Sequence, residues 1–114
     1  MTDMEINSKE VAGVTFVGLK GDIKSTTSGE VMDALVGLVK GGSNKLLINL
    51  EGVDFISSAG LRSILVAAKL LKNSNGQMRI CGANESVRKV LETSGFTSLV
   101  SLYPDEDEAL AAFT

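Results

Sequence analysis

Histidine and tryptophan are absent from this chain, and cysteine and proline occur once each. Without histidine the commonest general base and metal ligand is gone. No Ser-His-Asp or Cys-His nucleophile system can be assembled within the chain. The lone Cys81 cannot close an internal disulfide, which points to a reducing, cytoplasmic setting. A zinc site made of one thiol and carboxylates would depart from the usual donor sets. Basic charge is also short, with 11 Lys and Arg against 14 Asp and Glu and a net charge of −3. The chain thus lacks the footprint of a nucleic-acid binder. Its longest apolar runs, such as Leu46–Ile48 and Ile64–Ala68, are far too short to span a bilayer. The opening Met1-Thr2-Asp3-Met4-Glu5 is acidic and has no charged-then-apolar layout of a signal peptide. Gly37 to Ser43 reads G-L-V-K-G-G-S and misses the spacing of a phosphate-binding loop. The expectation is a protein without metal or cofactor that binds rather than catalyses.

What is present suffices for one domain covering residues 1–114. Of these residues 44% are apolar, enough to bury a core. Met4 to Val11 and Val14 to Leu19 flank Ala12-Gly13 and read as a β-hairpin. Gly21 ends the second strand, and Ser25 to Ser28 offer N-caps for a helix over Ser28 to Lys40. Gly41-Gly42 stops that helix. Lys45 to Leu50 reads as a buried central strand. Glu51 to Ser57 then leads into a helix from Ser58 to Asn73, closed by the turn Ser74-Asn75-Gly76. Met78 to Ala83 is the next strand, and Asn84 caps a helix from Glu85 to Ser94 that ends at Gly95. A short strand near Leu99 to Leu102, Pro104 and a last helix from Asp105 to Ala112 complete the order. Strands and helices alternate after the hairpin, so the class is α/β.

The informative stretch is Val53-Asp54-Phe55-Ile56-Ser57-Ser58-Ala59-Gly60-Leu61-Arg62, where a strand gives way to a helix. Serines at a helix start sit beside amides without intrahelical partners, where the helix dipole favours negative charge. One reading is that Ser57 or Ser58 only caps the helix. The other is a phosphorylation site, since a phosphoserine there could accept several backbone N–H bonds. At about 100° per residue, Gly60, Leu61, Ile64, Ala67, Ala68 and Leu71 share one side, with Leu65 at its margin. That side is expected to face the sheet. Ser58, Ala59, Arg62, Val66, Lys69 and Leu70 lie opposite. Val66 and Leu70 beside a modifiable serine suggest a partner surface, unless neighbouring helices cover them.

Other features read more plainly. Asp105-Glu106-Asp107-Glu108 complements a helix dipole. Cys81 is expected to be a small buried hydrophobe. Gly41-Gly42-Ser43-Asn44 is a helix stop.

Asp54-Phe55-Ile56-Ser57-Ser58-Ala59-Gly60-Leu61 between strand and helix resembles the signature of STAS domains. The short chain is similar to the bacterial anti-sigma factor antagonists, with Gly21-Asp22-Ile23, Leu50-Glu51 and Val90-Leu91 to Ser94-Gly95-Phe96 also in pattern. The resemblance implies a STAS fold: a central mixed sheet of about five strands, about four helices and an N-terminal hairpin. It also implies a partner, an anti-sigma factor that is usually a serine kinase, whose capture frees a sigma factor. The resemblance puts the phosphorylated serine on Ser58, with a phosphatase to restore it. Helical spacing puts Arg62, Val66 and Leu70 on the face of Ser58, so the expected partner surface comprises Ser57, Ser58, Ala59, Arg62, Val66 and Leu70. Two positions depart from the family's pattern, Ser57 and Lys24, where an aspartate is frequent. A second role within the family is that of a constitutive subunit of a lipid ABC transporter or signalling scaffold, with Ser58 only a cap.

Overall fold

A computed structural model describes residues 4–113, so the acidic start Met1–Asp3 lies outside the described residues. The elements in order are β1 (Glu5–Val11), β2 (Val14–Lys20), α1 (Ser28–Lys40), β3 (Lys45–Gly52), α2 (Ser58–Asn73), β4 (Gln77–Cys81), α3 (Glu85–Thr93), a 3-10 turn (Phe96–Ser98), β5 (Ser101–Tyr103) and α4 (Glu106–Ala111). The sheet order is β1-β2-β3-β4-β5. Strand β1 runs antiparallel to β2, and the pairs from β2 to β5 are parallel. The hairpin turns through Ala12 and Gly13, whose φ values of 52° and 84° both lie in the left-handed region. Two positive φ values in a two-residue loop match the right-handed twist of the flanking strands.

Each parallel step is joined by a helix, and the side-chain period of two sorts the strands into two faces. Val17, Leu19, Leu46, Ile48, Leu50, Met78 and Ile80 point to the main core beneath α1, α2 and α3. Val14, Leu47 and Cys81 point to the other face, where Ala109 of α4 seals a much smaller cluster. Helix α2 supplies Ile64, Ala67, Ala68 and Leu71 to the main core, all buried. Helix α1 packs closely along α2, whereas α3 stands further off.

At the fourth and fifth strands the boundaries differ from the sequence reading for a local reason, while β3 runs on two residues past Leu50 to Gly52. The fifth strand starts at Ser101 instead of Leu99, because Phe96–Ser98 winds into a 3-10 turn that buries Phe96 and Val100. The fourth strand ends at Cys81, since Gly82 turns at φ 75° and its amide bonds the Tyr103 carbonyl.

Candidate functional site

The strand-to-helix passage after β3 is held by a short parallel bridge, not by a regular loop. Ile56 pairs with Ile23, and both are buried. The Ile23 amide donates to the Phe55 carbonyl at 2.9 Å, and the Ser57 amide to the Ile23 carbonyl at 2.8 Å. With Ile23 and Ile56 turned inward, the alternation of extended chain turns their neighbours Lys24, Phe55 and Ser57 outward. Phe55 is 50% exposed.

Ser57 is the N-cap of α2. Its backbone is extended, and its hydroxyl oxygen accepts the Gly60 amide at 3.1 Å. Ser58, one residue on, takes no part in that bond and is exposed. The amides of Ser58 and Ala59 lie in the first turn, where a helix provides no acceptor. No acidic residue occupies this turn either, so the positive end of the dipole is uncompensated within the helix. Gly60 is required by contact. A Cβ there would fall 2.5 Å from both the carbonyl oxygen and Cγ2 of Ile23. The helix start is therefore pressed onto the Ile23 segment, which fixes where Ser58 stands.

Because α3 stands off, an open groove of ≈ 480 Å³ separates it from α2. Ser58 and Leu61 line one wall, and Ser86, Lys89, Val90 and Thr93 the other. A second hollow continues it past Leu65 and Lys69 to Phe96 and Leu99. Charges of both signs surround Ser58: Lys24 in register beside Ser57, Arg62 one turn along α2 and Lys89 across the groove, with Asp22 and the exposed Asp54 on the two segments of the bridge.

The structure divides the residues singled out from sequence. Ser57, Ser58, Ala59 and Arg62 gather at the helix start, with Ser58 and Arg62 exposed. Val66 and Leu70 are half-buried, on the flank of α2 that also carries the fully buried Ser63. Leu61 and Leu65 are half-buried on the other flank and line the hollows toward α3. Sequence reading did not single out Phe55 or the α3 wall of the groove. Phe55 was findable: in an extended segment, the neighbour of an inward Ile56 must point outward. The α3 residues leave no such mark, since helix-to-helix spacing is not written in either helix.

The remaining candidates have local explanations. Asp105 caps α4 by accepting the Glu108 amide at 2.9 Å, with Glu106, Asp107 and Glu108 in the first turn. Cys81 is fully buried, and burial, with Glu106, Glu51 and Asp105 nearby, pushes its thiol up to about 12. Gly42, at φ 104°, ends α1, as the Gly41 and Ser43 amides bond back to Gly37 and Leu38. Among the described residues no helix is long and apolar enough to cross a membrane, and no three acidic or Cys side chains group to hold a metal.

The described residues thus form an α/β domain with a serine-bearing helix start, and comparison with known proteins identifies its family. The STAS domain family matches residues 5–109, and the chain belongs to it. It is 32% identical over 110 residues to BtrV of Bordetella bronchiseptica, provisionally named an anti-sigma factor antagonist, covering 96% of this chain and 95% of that one. It is 28% identical over 109 residues to the anti-sigma F factor antagonist of Paenibacillus polymyxa, covering 95% and 93%. The crystal structure of an anti-sigma factor antagonist from Mycobacterium paratuberculosis superposes with a TM-score of 0.87 at 25% identity, covering 96% and 92%.

Proposed function

We propose that this protein is a cytoplasmic anti-sigma factor antagonist that captures an anti-sigma factor at the start of α2, and that phosphorylation of Ser58 releases it. The observation that carries the reading is the exposed Ser58. It stands at an uncompensated helix N-terminus, freed from capping duty by Ser57, at the mouth of an open groove. An unphosphorylated hydroxyl there leaves the centre of the surface neutral. A phosphate adds about −1.5 to −2 charges. Within the domain that anion meets the free amides of the first turn, so the fold persists. Against a partner shaped for the hydroxyl it is unmatched, at a cost of about 2–5 kcal/mol by analogy with an unpaired interfacial charge. Binding then weakens by about 30- to 3,000-fold. The chain acts by occupying its partner rather than by catalysis. Its partners are the anti-sigma factor, in the serine-kinase form that modifies it, and a phosphatase that reverses the modification.

Incubation with its anti-sigma kinase and ATP is expected to place one phosphate on Ser58, read by mass spectrometry, and Ser58→Ala abolishes it. Phosphate on Ser57 alone, or none with a kinase that binds the chain, removes the switch from the reading. Tight binding that phosphorylation leaves unchanged favours a constitutive scaffold subunit instead. Ser57, Ala59, Arg62, Val66 and Leu70 complete the proposed surface. Val66→Asp and Leu70→Asp test its half-buried part. Loss of binding with circular dichroism unchanged supports them as contacts, and unfolding assigns them to helix packing.

A further inference from the structure

Strand β1 lies at the edge of the sheet, with β2 as its only strand neighbour. The two pair along all seven residues of β1, from Glu5 opposite Lys20 to Val11 opposite Val14, with no break in register. The other edge, β5, has only three residues. Proteins blunt exposed edges by shortness, proline, a bulge or charge. Of these β1 has charge alone, and it carries both signs, in Glu5, Lys9 and Glu10. The two-residue turn makes Val11 and Val14 the closing hydrogen-bonded pair of the hairpin. Counting back by twos, Lys9, Asn7 and Glu5 direct their backbone groups to β2, while Ile6, Ser8 and Glu10 direct theirs outward. Those outward groups bond to nothing else among the described residues.

What this edge accepts follows from its sequence, Glu-Ile-Asn-Ser-Lys-Glu-Val. A second copy related by a two-fold axis through the sheet approaches antiparallel and offers the outward groups of its own Ile6, Ser8 and Glu10. The pair is then centred on one residue of the strand. Centring on Glu5, Lys9 or Glu10 sets that charge against itself, and centring on Ile6, Ser8 or Val11 sets no two charges across within Glu5–Val11. Centring on Asn7 sets Glu5 against Lys9 on both sides of the axis. Opposite charges directly across stabilise a strand pair, and like charges destabilise it. In that register both charge pairs fall at positions without backbone bonds, where side chains approach most closely. Glu5 and Lys9 are exposed. Lys20 stands across β2 from Glu5, so each Glu5 would lie between its own Lys20 and Lys9 of the second copy. Asn7, at the axis, lies back over Gly18, where an added Cβ would meet its Oδ1 at 3.1 Å. The axis is therefore uncrowded.

We propose that β1 pairs antiparallel with β1 of a second copy of this chain, centred on Asn7, and joins two five-stranded sheets into one of ten strands. The contact is isologous and consumes the one long edge of each copy, so it closes at a dimer. A strand pair buries less than a standard interface, so the dimer is weak and its population follows protein concentration. No residue of the α2 start takes part, and the dimer stands or falls independently of the antagonist reading.

The test is sedimentation velocity of the whole chain at low salt, over about 10 µM to 1 mM, a span that reaches weak dimers. The wild type is expected to pass reversibly from monomer to dimer. Lys9→Glu turns both charge pairs into like pairs and is expected to weaken the dimer by about tenfold or more. Glu5→Lys combined with Lys9→Glu exchanges the charges and is expected to restore it. Asn7→Cys probes the register directly. Cα atoms of such opposed residues lie about 4.5 Å apart, within disulfide reach, and Cys81 is buried and does not compete. Mild oxidation should therefore link Asn7→Cys into a covalent dimer, read on a non-reducing gel, and leave Glu10→Cys unlinked. A wild type that stays monomeric at the highest concentration overturns the proposal. A dimer that Lys9→Glu leaves intact assigns association to another surface and overturns it too. So does a charge exchange that fails to restore the dimer, or an Asn7→Cys chain that links no faster than Glu10→Cys.

Discussion

Helices α2 and α4 begin with the same device and put it to different use. Ser57 accepts the Gly60 amide and Asp105 accepts the Glu108 amide, each three residues into its helix. Helix α4 then fills its first turn with Glu106, Asp107 and Glu108, whereas α2 continues with Ser58 and Ala59 and has no acid there. The short α4 rests on a small cluster around Val14, Leu47 and Cys81. The long α2 lays Ile64, Ala67, Ala68 and Leu71 onto the main core. Charge complementation near a helix start contributes about 0.3–1 kcal/mol, and a fully buried large aliphatic about 1.5–3. Helix α4 needs the first because it has little of the second. Helix α2 has enough burial to leave its positive end unneutralised, and so available to an anion or a partner.

The sharpest way to break this comparison is to place a charge under each helix. Ile64→Asp buries an unpaired carboxylate in the main core and is expected to cost more than about 4 kcal/mol. Circular dichroism should then show no cooperative thermal transition. Ala109→Asp is expected to dislodge α4 while the sheet and the other helices persist, leaving Cys81 open to thiol reagents. If Ala109→Asp unfolds the chain as fully as Ile64→Asp, the two faces are one cooperative core and the contrast is wrong.

Gly60→Ala is next in size. The added Cβ meets backbone and side chain of Ile23 at 2.5 Å, so the helix start must lift. An overpacking cost of about 1–3 kcal/mol should appear as a lower thermal midpoint, together with weaker partner binding because Ser58 moves. An unchanged midpoint would mean the helix start is not held where we describe it.

Loss of the caps is smaller, about 1 kcal/mol each. Ser57→Ala should lower the global midpoint, because α2 belongs to the main core. Asp105→Ala should instead speed hydrogen exchange of the α4 amides with little global change. Ser57→Asp keeps an acceptor and adds an acid to the uncompensated turn, so its midpoint should equal or exceed wild type.

The smallest effect concerns Cys81. Its pKa is raised on folding, so the stability linked to it is whole below the ordinary value of 9.0 and is lost as pH climbs toward 12. Iodoacetamide at pH 8 should leave the thiol of the native chain unmodified over hours and alkylate it promptly in denaturant. Fast alkylation of the native protein would show that α4 does not cover it.

Much of this fold is legible in the amino-acid sequence. The spacing of Ile64, Ala67, Ala68 and Leu71 marks the buried side of α2, and Gly41-Gly42, Asn84 and Pro104 punctuate the chain where helices stop or start. The serine pair at a strand-to-helix turn marks the site. Whether Val66 and Leu70 are exposed or covered stays open on a helical wheel, which knows only its own helix, and the fold leaves both half-buried. Leu61 packs against the main core as its side of the helix implies, and it also lines a groove because α3 stands off. Ser63 carries a polar side chain and is nonetheless fully buried, its hydroxyl donating to the Gly60 carbonyl at 2.6 Å.

By itself the sequence determined the elements, their order and the chemistry left without histidine, because periodicity, caps and residue types act within a few residues of one another. It also set two serines at one helix start. Which of them caps and which stands free was decided by tertiary structure. The Ile23–Ile56 bridge and the close approach of Gly60 to Ile23 position the first turn, and they join segments more than thirty residues apart. Lys24 beside Ser57, and Lys89 across the groove from Ser58, are brought to the helix start for the same reason. Charge and contact depend on distance in space, and only the fold sets that distance.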